Sequence, residues 1–273
     1  MSYASGFALS EDGREQASMG IAIGDYQRNG RIDLFTTTFS DDYKTLYRND
    51  GQGNFSDVTY QAGLAGPTIP FLAWGTGFLD FDNDVLLDLF IANGHVYPEV
   101  DKQDWGTTWA ERPQLFRNLD GKKFEEVPPA TGSGLADVIS ARGAAFGDIF
   151  NDGVIDVVIN NIDSRPTLLR NVLKTGNHWL ELKLIGGPKS PRDGNGAKVF
   201  LTTGGVRQRG DVYSGGSYSS SSDQRIHFGL GTATKVDSME IDWPSGAKEK
   251  ITVPGIDRIV TIQEGKKAEE RSN

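Results

Sequence analysis

Three stretches of the chain share one grammar, and that repetition restricts the fold more than any other feature: GIAIGDYQRNGRIDLF from Gly20, GTGFLDFDNDVLLDLF from Gly75 and GAAFGDIFNDGVIDVV from Gly143. In each, an alternating apolar stretch enters a polar loop and a second apolar run leaves it, which predicts strand, loop, strand. A second shared phrase follows: LYRNDGQGNFSDV at Leu46, LFRNLDGKKFEEV at Leu115 and a partial LLRN at Leu168, with DG turns that mark hairpins. The interval from the first loop aspartate to this phrase is 21, 35 and 20 residues, so the middle unit carries an insertion at about 94–112. Units of roughly four short strands predict propeller blades, each packed on its neighbours. After Asn177 the Asp-rich loop disappears, and strands are predicted at 178–184, 197–202, 225–228, 238–242, 250–253 and 259–262. The expected fold is all-β: a partial β-propeller of about three blades in residues 1–176, a second, smaller β domain in 177–265 and a disordered tail at 266–273.

The loops carry the chemistry. A hard cation such as Ca²⁺ takes six to eight oxygen ligands, and a short loop offers them by presenting side chains at alternate positions. Unit one offers Asp25, Gln27, Asn29 and Asp33; unit two Asp80, Asp82, Asp84 and Asp88; unit three Asp148, Asp152 and Asp156. The seventh residue of each loop, Arg31, Leu86 or Val154, can contribute only a backbone carbonyl. An EF-hand needs a bidentate Glu at position twelve and flanking helices, yet these loops have Thr36, Ile91 and Ile159 there. What remains is D-x-[DNQ]-x-[DN]-G-x-x-D between strands. Unit two departs from it with Val85 where the others have Gly30 and Gly153, and unit three departs with Phe150 at the third ligand position. Ranked by ligand chemistry, unit two comes first, then unit one, then unit three, which gives two Ca²⁺ sites and a weakened third. Acidic turns without metal are the competing reading, but crowded carboxylates repel one another and raise their own pKa values.

Charge and composition exclude several functions. Residues 1–176 carry 25 Asp and Glu against 14 Lys and Arg, and the remainder 12 against 14, so the net charge of −9 belongs to the repeats. That distribution disfavours nucleic acid as a partner. No apolar run is long enough to span a bilayer, and no signal peptide is read at the N-terminus. Without cysteine there are no disulfides and no thiolate sites. The three histidines lack metal-ligand spacing, the serine run 217–222 lacks a nucleophile elbow and reads as a polar hairpin loop, and Arg209-Gly210-Asp211 reads as a strand end rather than an adhesion tripeptide. Within the insertion, Tyr97, Trp105 and Trp109 stand beside acidic residues, as a sugar- or cation-recognising platform does, with packing between blade and tail as the plainer alternative.

The three units resemble FG-GAP/VCBS repeats, the blades of integrin-α-like propellers. The tail resembles the ASPIC/UnbV domain of the cartilage acidic protein family and its bacterial relatives through NHWLELKL from Asn177, NGAKVFL from Asn195, SGGSYSSSSDQRIHFGLG from Ser214 and EIDWPSG from Glu240, with ANGHVYPEVD from Ala92 in the repeats. The resemblance implies about three blades followed by a small β-sandwich-like ASPIC/UnbV domain, Ca²⁺ in the blade loops, an extracellular or cell-envelope location, and a binding or adhesion role toward a protein or glycan. Because some members belong to natural-product gene clusters, the alternative is an enzyme or accessory protein in natural-product biosynthesis or carbohydrate processing. A complete propeller of this type has more blades, so an N-terminally truncated array is expected, self-associating through its open edge.

Overall fold

The computed structural model describes residues 2–130, 132–266 and 269–270. Each repeat becomes an antiparallel meander whose strands lie in chain order. The first sheet contains β1 (Ile21–Gly24), β2 (Asp33–Thr36), β3 (Thr45–Gly51) and β4 (Asn54–Asp57); the second β5 (Ala73–Leu79), β6 (Asp88–Asn93), β7 (Gln114–Asn118) and β8 (Phe124–Glu126); the third β9 (Ala141–Gly147), β10 (Asp156–Asn161) and β11 (Thr167–Leu169). The tail supplies β12 (His178–Ile185), β13 (Lys198–Thr203), β14 (Val206–Asp211), β15 (Ile226–Gly231), β16 (Ser238–Asp242), β17 (Lys248–Ile251), β18 (Arg258–Gln263) and β19 (Glu269–Glu270). These make two more sheets, in the orders β15-β12-β18-β19 and β14-β13-β16-β17.

The expectation of about three blades and a separate small sandwich is therefore corrected. The described residues form five blade-sized sheets, a five-blade arrangement with almost no helix. Counting by the Asp-rich loop finds only three because neither tail sheet carries one, and β12 and β18 pair in parallel across a long separation in sequence. The tail is also not set apart, since it is docked on the blade loops. Of the expected disordered segment 266–273, residues 267, 268 and 271–273 lie outside the described residues, while Glu269 and Glu270 pair with Thr261 and Val260.

Alternation along each strand sends one set of side chains into the space between neighbouring sheets. Phe35, Leu46, Leu89, Ile91 and Phe116 fill the first junction; Phe90, Ala144, Val157 and Ile159 the second; Leu180, Val199, Ile241 and Val260 the core between the two tail sheets. Buried fully, each large side chain contributes about 1.5–3 kcal/mol. The repeated glycine that opens each unit marks a close approach of backbones. A Cβ on Gly20 would lie 2.0 Å from the Trp74 carbonyl oxygen, and one on Gly75 would lie 2.5 Å from Ala144 N. At Gly143 the obstacle is Ser220 Oγ at 2.4 Å. The serine run thus takes the place of a neighbouring inner strand rather than forming a hairpin tip. It crosses the inner strands through Ser217 N to the Ile21 carbonyl (2.7 Å), Thr76 N to Ser217 Oγ (3.1 Å) and Phe146 N to Ser222 Oγ (3.2 Å).

Candidate metal centre

Each acidic loop links the first two strands of its sheet and folds around its first carboxylate. Asp25 accepts hydrogen bonds from Asn29 N and Gly30 N (2.9 and 2.7 Å), Asp80 from Asp84 N and Val85 N (3.0 and 2.8 Å), and Asp148 from Asp152 N and Gly153 N (3.0 and 2.8 Å). Two left-handed residues make this wrap possible. The sixth position has φ of +82°, +87° and +86° at Gly30, Val85 and Gly153, and the fourth has +56°, +59° and +54° at Arg28, Asn83 and Asn151. A β-branched Val85 in that conformation costs about 1–2 kcal/mol.

The ninth residue ties the loop to the third strand. Asp33, Asp88 and Asp156 accept the backbone N–H groups of Asn49, Asn118 and Asn171, all at 2.8 Å. These asparagines belong to the Arg-Asn pair of the second shared phrase, whose link to the loops cannot be read from spacing alone. Its arginines differ in target. Arg117 pairs with Asp82 and lies 3.6 Å from Asp84, Arg170 reaches Asp152 at 3.3 Å, and Arg48 turns to Asp50 at 2.8 Å.

In unit two, ligand oxygens of Asp80, Asp82 and Asp88 all lie within 4.8 Å of one another, and all three residues are buried. Asp84 is turned aside, its Oδ1 accepting Leu86 N at 2.9 Å. The Arg117 guanidinium reaches only two of these four carboxylates, Asp82 and Asp84. Burial, aided by the neighbouring carboxylates, holds Asp80 well above the usual range, raises Asp82, and pushes Asp88 up to about 9. In unit one, burial pushes the fully buried Asp33 up to about 7, and its Oδ2 has no hydrogen-bond partner. Asn29 turns back on its own loop, accepting Arg31 N at 2.9 Å and donating to Gln27 Oε1 at 3.0 Å. Unit three holds Asp148 and Asp156 in the same frame, but Asp152 is exposed, and Phe150 lies under the Arg170 guanidinium at 4.0 Å instead of offering an oxygen. Arg31, Leu86 and Val154 fill the seventh place with side chains that carry no oxygen. A buried, oxygen-only donor set with excess negative charge is what a hard divalent cation requires.

The aromatic residues of the insertion are not brought together. Trp105 is 60% exposed and Tyr97 56%, while Trp109 has the Arg142 guanidinium 5.7 Å from its ring and donates its backbone N–H to Asp101 Oδ1 at 2.7 Å. Arg209 and Asp211 pair with each other at 2.8 Å in β14. His178 meets Asp257 at 2.7 Å, and His95 accepts the Tyr97 N–H at 3.1 Å. Among the described residues, no helix is long and apolar enough to cross a membrane.

The FG-GAP-like repeat model matches residues 25–91 and 80–159, so its matches begin on the first aspartates of units one and two. The ASPIC and UnbV model matches residues 187–269. Cartilage acidic protein 1 of Xenopus tropicalis is 25% identical over 240 residues, covering 85% of this chain and 34% of that protein; the Mus musculus protein is 25% identical over 246 residues, covering 86% and 35%. The chain thus spans about a third of the length of the curated relatives it matches. Three acidic blade loops in a repeat frame, joined to two C-terminal sheets with this signature, make the chain a member of the family that combines FG-GAP-like repeats with an ASPIC and UnbV domain.

Proposed function

We propose that the chain is a non-enzymatic, Ca²⁺-stabilised binding or adhesion module of extracellular or cell-envelope type, residues 1–176 holding the cations and 177–265 forming its second part. The observation that carries this reading is the convergence of the buried Asp80, Asp82 and Asp88 on one point. In unit two these three side chains hold the ion; in unit one Asp25 and Asp33 do so, with Gln27 and Asn29 as neutral oxygens. Asp148 and Asp156 make a third, weaker position that lacks the ligand Phe150 displaces. A bound ion neutralises the loop, and at ten times its Kd each site adds about 1.4 kcal/mol to stability. The recognition surface is then a protein- or glycan-binding one, with Trp105 as its most exposed aromatic residue. Calorimetric titration with Ca²⁺, paired with melting curves in chelator, tests the reading: two sites and a Ca²⁺-raised Tm are expected, and an absence of binding heat with an unchanged melt overturns it.

A further inference from the structure

Every acidic loop gives a backbone oxygen to the C-terminal part. The Gly30 carbonyl accepts from Arg209 at 2.8 Å, the Asp82 carbonyl from Asn177 at 2.9 Å and from Thr175 in the connecting segment at 3.1 Å, and the Asp148 carbonyl from Arg225 at 2.7 Å. The second loop is the most deeply covered. Its Asn83 carbonyl accepts Gly231 N at 2.9 Å, and its Asn83 Nδ2 donates to the Gly153 carbonyl of the third loop at 2.9 Å. That donation turns Asn83 Oδ1 toward His227 Nε2, 2.7 Å away, and because Oδ1 can only accept, Nε2 carries the proton. Asn83 therefore joins two loops and the tail sheet through one side chain.

Strand β15 lies directly over the carboxylates. A Cβ on Gly229 would stand 2.0 Å from Asp80 Oδ2, and one on Gly231 would be in ordinary contact with the Val85 side chain at 3.4 Å. Val85 occupies, with strain, a left-handed position where the sister loops have glycine, and at Gly153 a Cβ would stand 2.0 Å from the Trp179 ring of β12. The second loop is shaped both for a cation and for the sheet above it.

We propose that cation binding at the second loop and seating of the β15 sheet are one coupled event, with Asn83 and His227 as the positioning pair and Gly229 as the position that lets the strand close over Asp80. This rests on the cation reading above. Coupling between two sites is reciprocal: loosening the tail weakens the cation, and removing the cation loosens the tail by the same factor.

Two measurements on the full chain test it. Amide hydrogen exchange of wild-type protein, with and without Ca²⁺, reads the tail directly: exchange across Ile226–Gly231 slows about tenfold with the cation, and equal exchange overturns the coupling. Calorimetric Ca²⁺ titration of His227→Leu reads the reverse direction: affinity at the tightest site falls about tenfold, His227→Gln, which keeps a donor, recovers it, and Arg207→Ala, an exposed change on β14, leaves it unaltered. If wild type binds no Ca²⁺, the cation reading itself fails; if wild type binds and His227→Leu binds equally well, the coupling alone fails.

Discussion

Raising the pH of the cation-free protein from 6.5 to 8.5 destabilises it, and Ca²⁺ removes that dependence. Asp33 and Asp88 are fully buried, and burial lifts their pKa values from 3.8 to about 7 and about 9. In the unfolded chain both are ionised above pH 5. Over this window the native state holds more protons than the unfolded state, so the unfolding free energy falls as pH rises, by at most about 1.4 kcal/mol per pH unit for each protonated carboxyl. Glu181, pushed up to about 8, Glu111, pushed up to about 7, and Asp80, held well above the usual range, act in the same direction. Two groups oppose them. His227, held down to about 4, raises stability with pH only below its unfolded value near 6.5, outside the window, and Lys44, held down to about 7, opposes with one proton above pH 7. The net loss is about 3–4 kcal/mol across the window before Asp80 is counted, a large part of a typical domain's 5–15 kcal/mol.

Urea melts in chelator at pH 6.5, 7.5 and 8.5, repeated in excess Ca²⁺, measure this effect. The cation keeps the loop carboxylates ionised, so the Ca²⁺ series is flat or rises with pH. A chelator series that rises with pH, or two parallel series, refutes the assignment of buried, proton-holding carboxylates to the loops.

Asp88→Asn keeps one acceptor and stays neutral like the protonated carboxyl of the cation-free loop, so melting in chelator near pH 7 changes little while the Ca²⁺-induced rise in Tm disappears. Lys44 is fully buried, with its ammonium donating to the carbonyls of Phe39, Asp42, Thr68 and Phe71; Lys44→Met leaves those oxygens without their donor and lowers stability by about 3 kcal/mol in denaturant melts. Among the described residues the third sheet has three strands, so β11 presents an open edge on which Leu168 is 47% exposed. Leu168→Lys therefore reduces concentration-dependent association in light scattering. Trp105→Ala leaves Tm unchanged and reduces signal on glycan or peptide arrays; a loss of Tm with no change in signal assigns the ring to packing.

The loop grammar is legible in the sequence because its geometry is local. Alternate positions from Asp80 to Asp88 fall on one side of a turn, and three of the four carboxylates do converge. The outward turn of the fifth position is less legible, since Asp84 has a competing local partner in Leu86 N. The fourth position leaves a trace, Asn at two of three loops, which is the residue that best tolerates a left-handed backbone. Arg117 on Asp82 needs the register of β6 against β7, which pairs Leu89 with Phe116 and brings together residues 35 apart. The tail contacts are more distant still: His227 and Asn83 are separated by 144 positions, Arg209 and Gly30 by 179. No local pattern encodes such pairs, and the same distance hides the fourth and fifth sheets, whose strands interleave along the chain.

The position of the second loop explains why its most acidic member carries Val85. Covering carboxylates with a sheet removes water from them, and this makes the cation-free loop less stable than an open one. The same covering lowers the local dielectric and strengthens attraction to a bound ion. The tail therefore acts in opposite directions on the two states of the loop, favouring release of the sheet when the site lacks its cation and seating of the sheet when the site is filled. A glycine at position 85 would relax the backbone in both states and remove a side chain that lies beneath β15 only in the seated one. Val85→Gly tests this: faster exchange across Ile226–Gly231 together with weaker Ca²⁺ binding assigns the valine to the seated state, an altered titration with unchanged exchange assigns it to the loop, and faster exchange with an unchanged titration refutes the coupling.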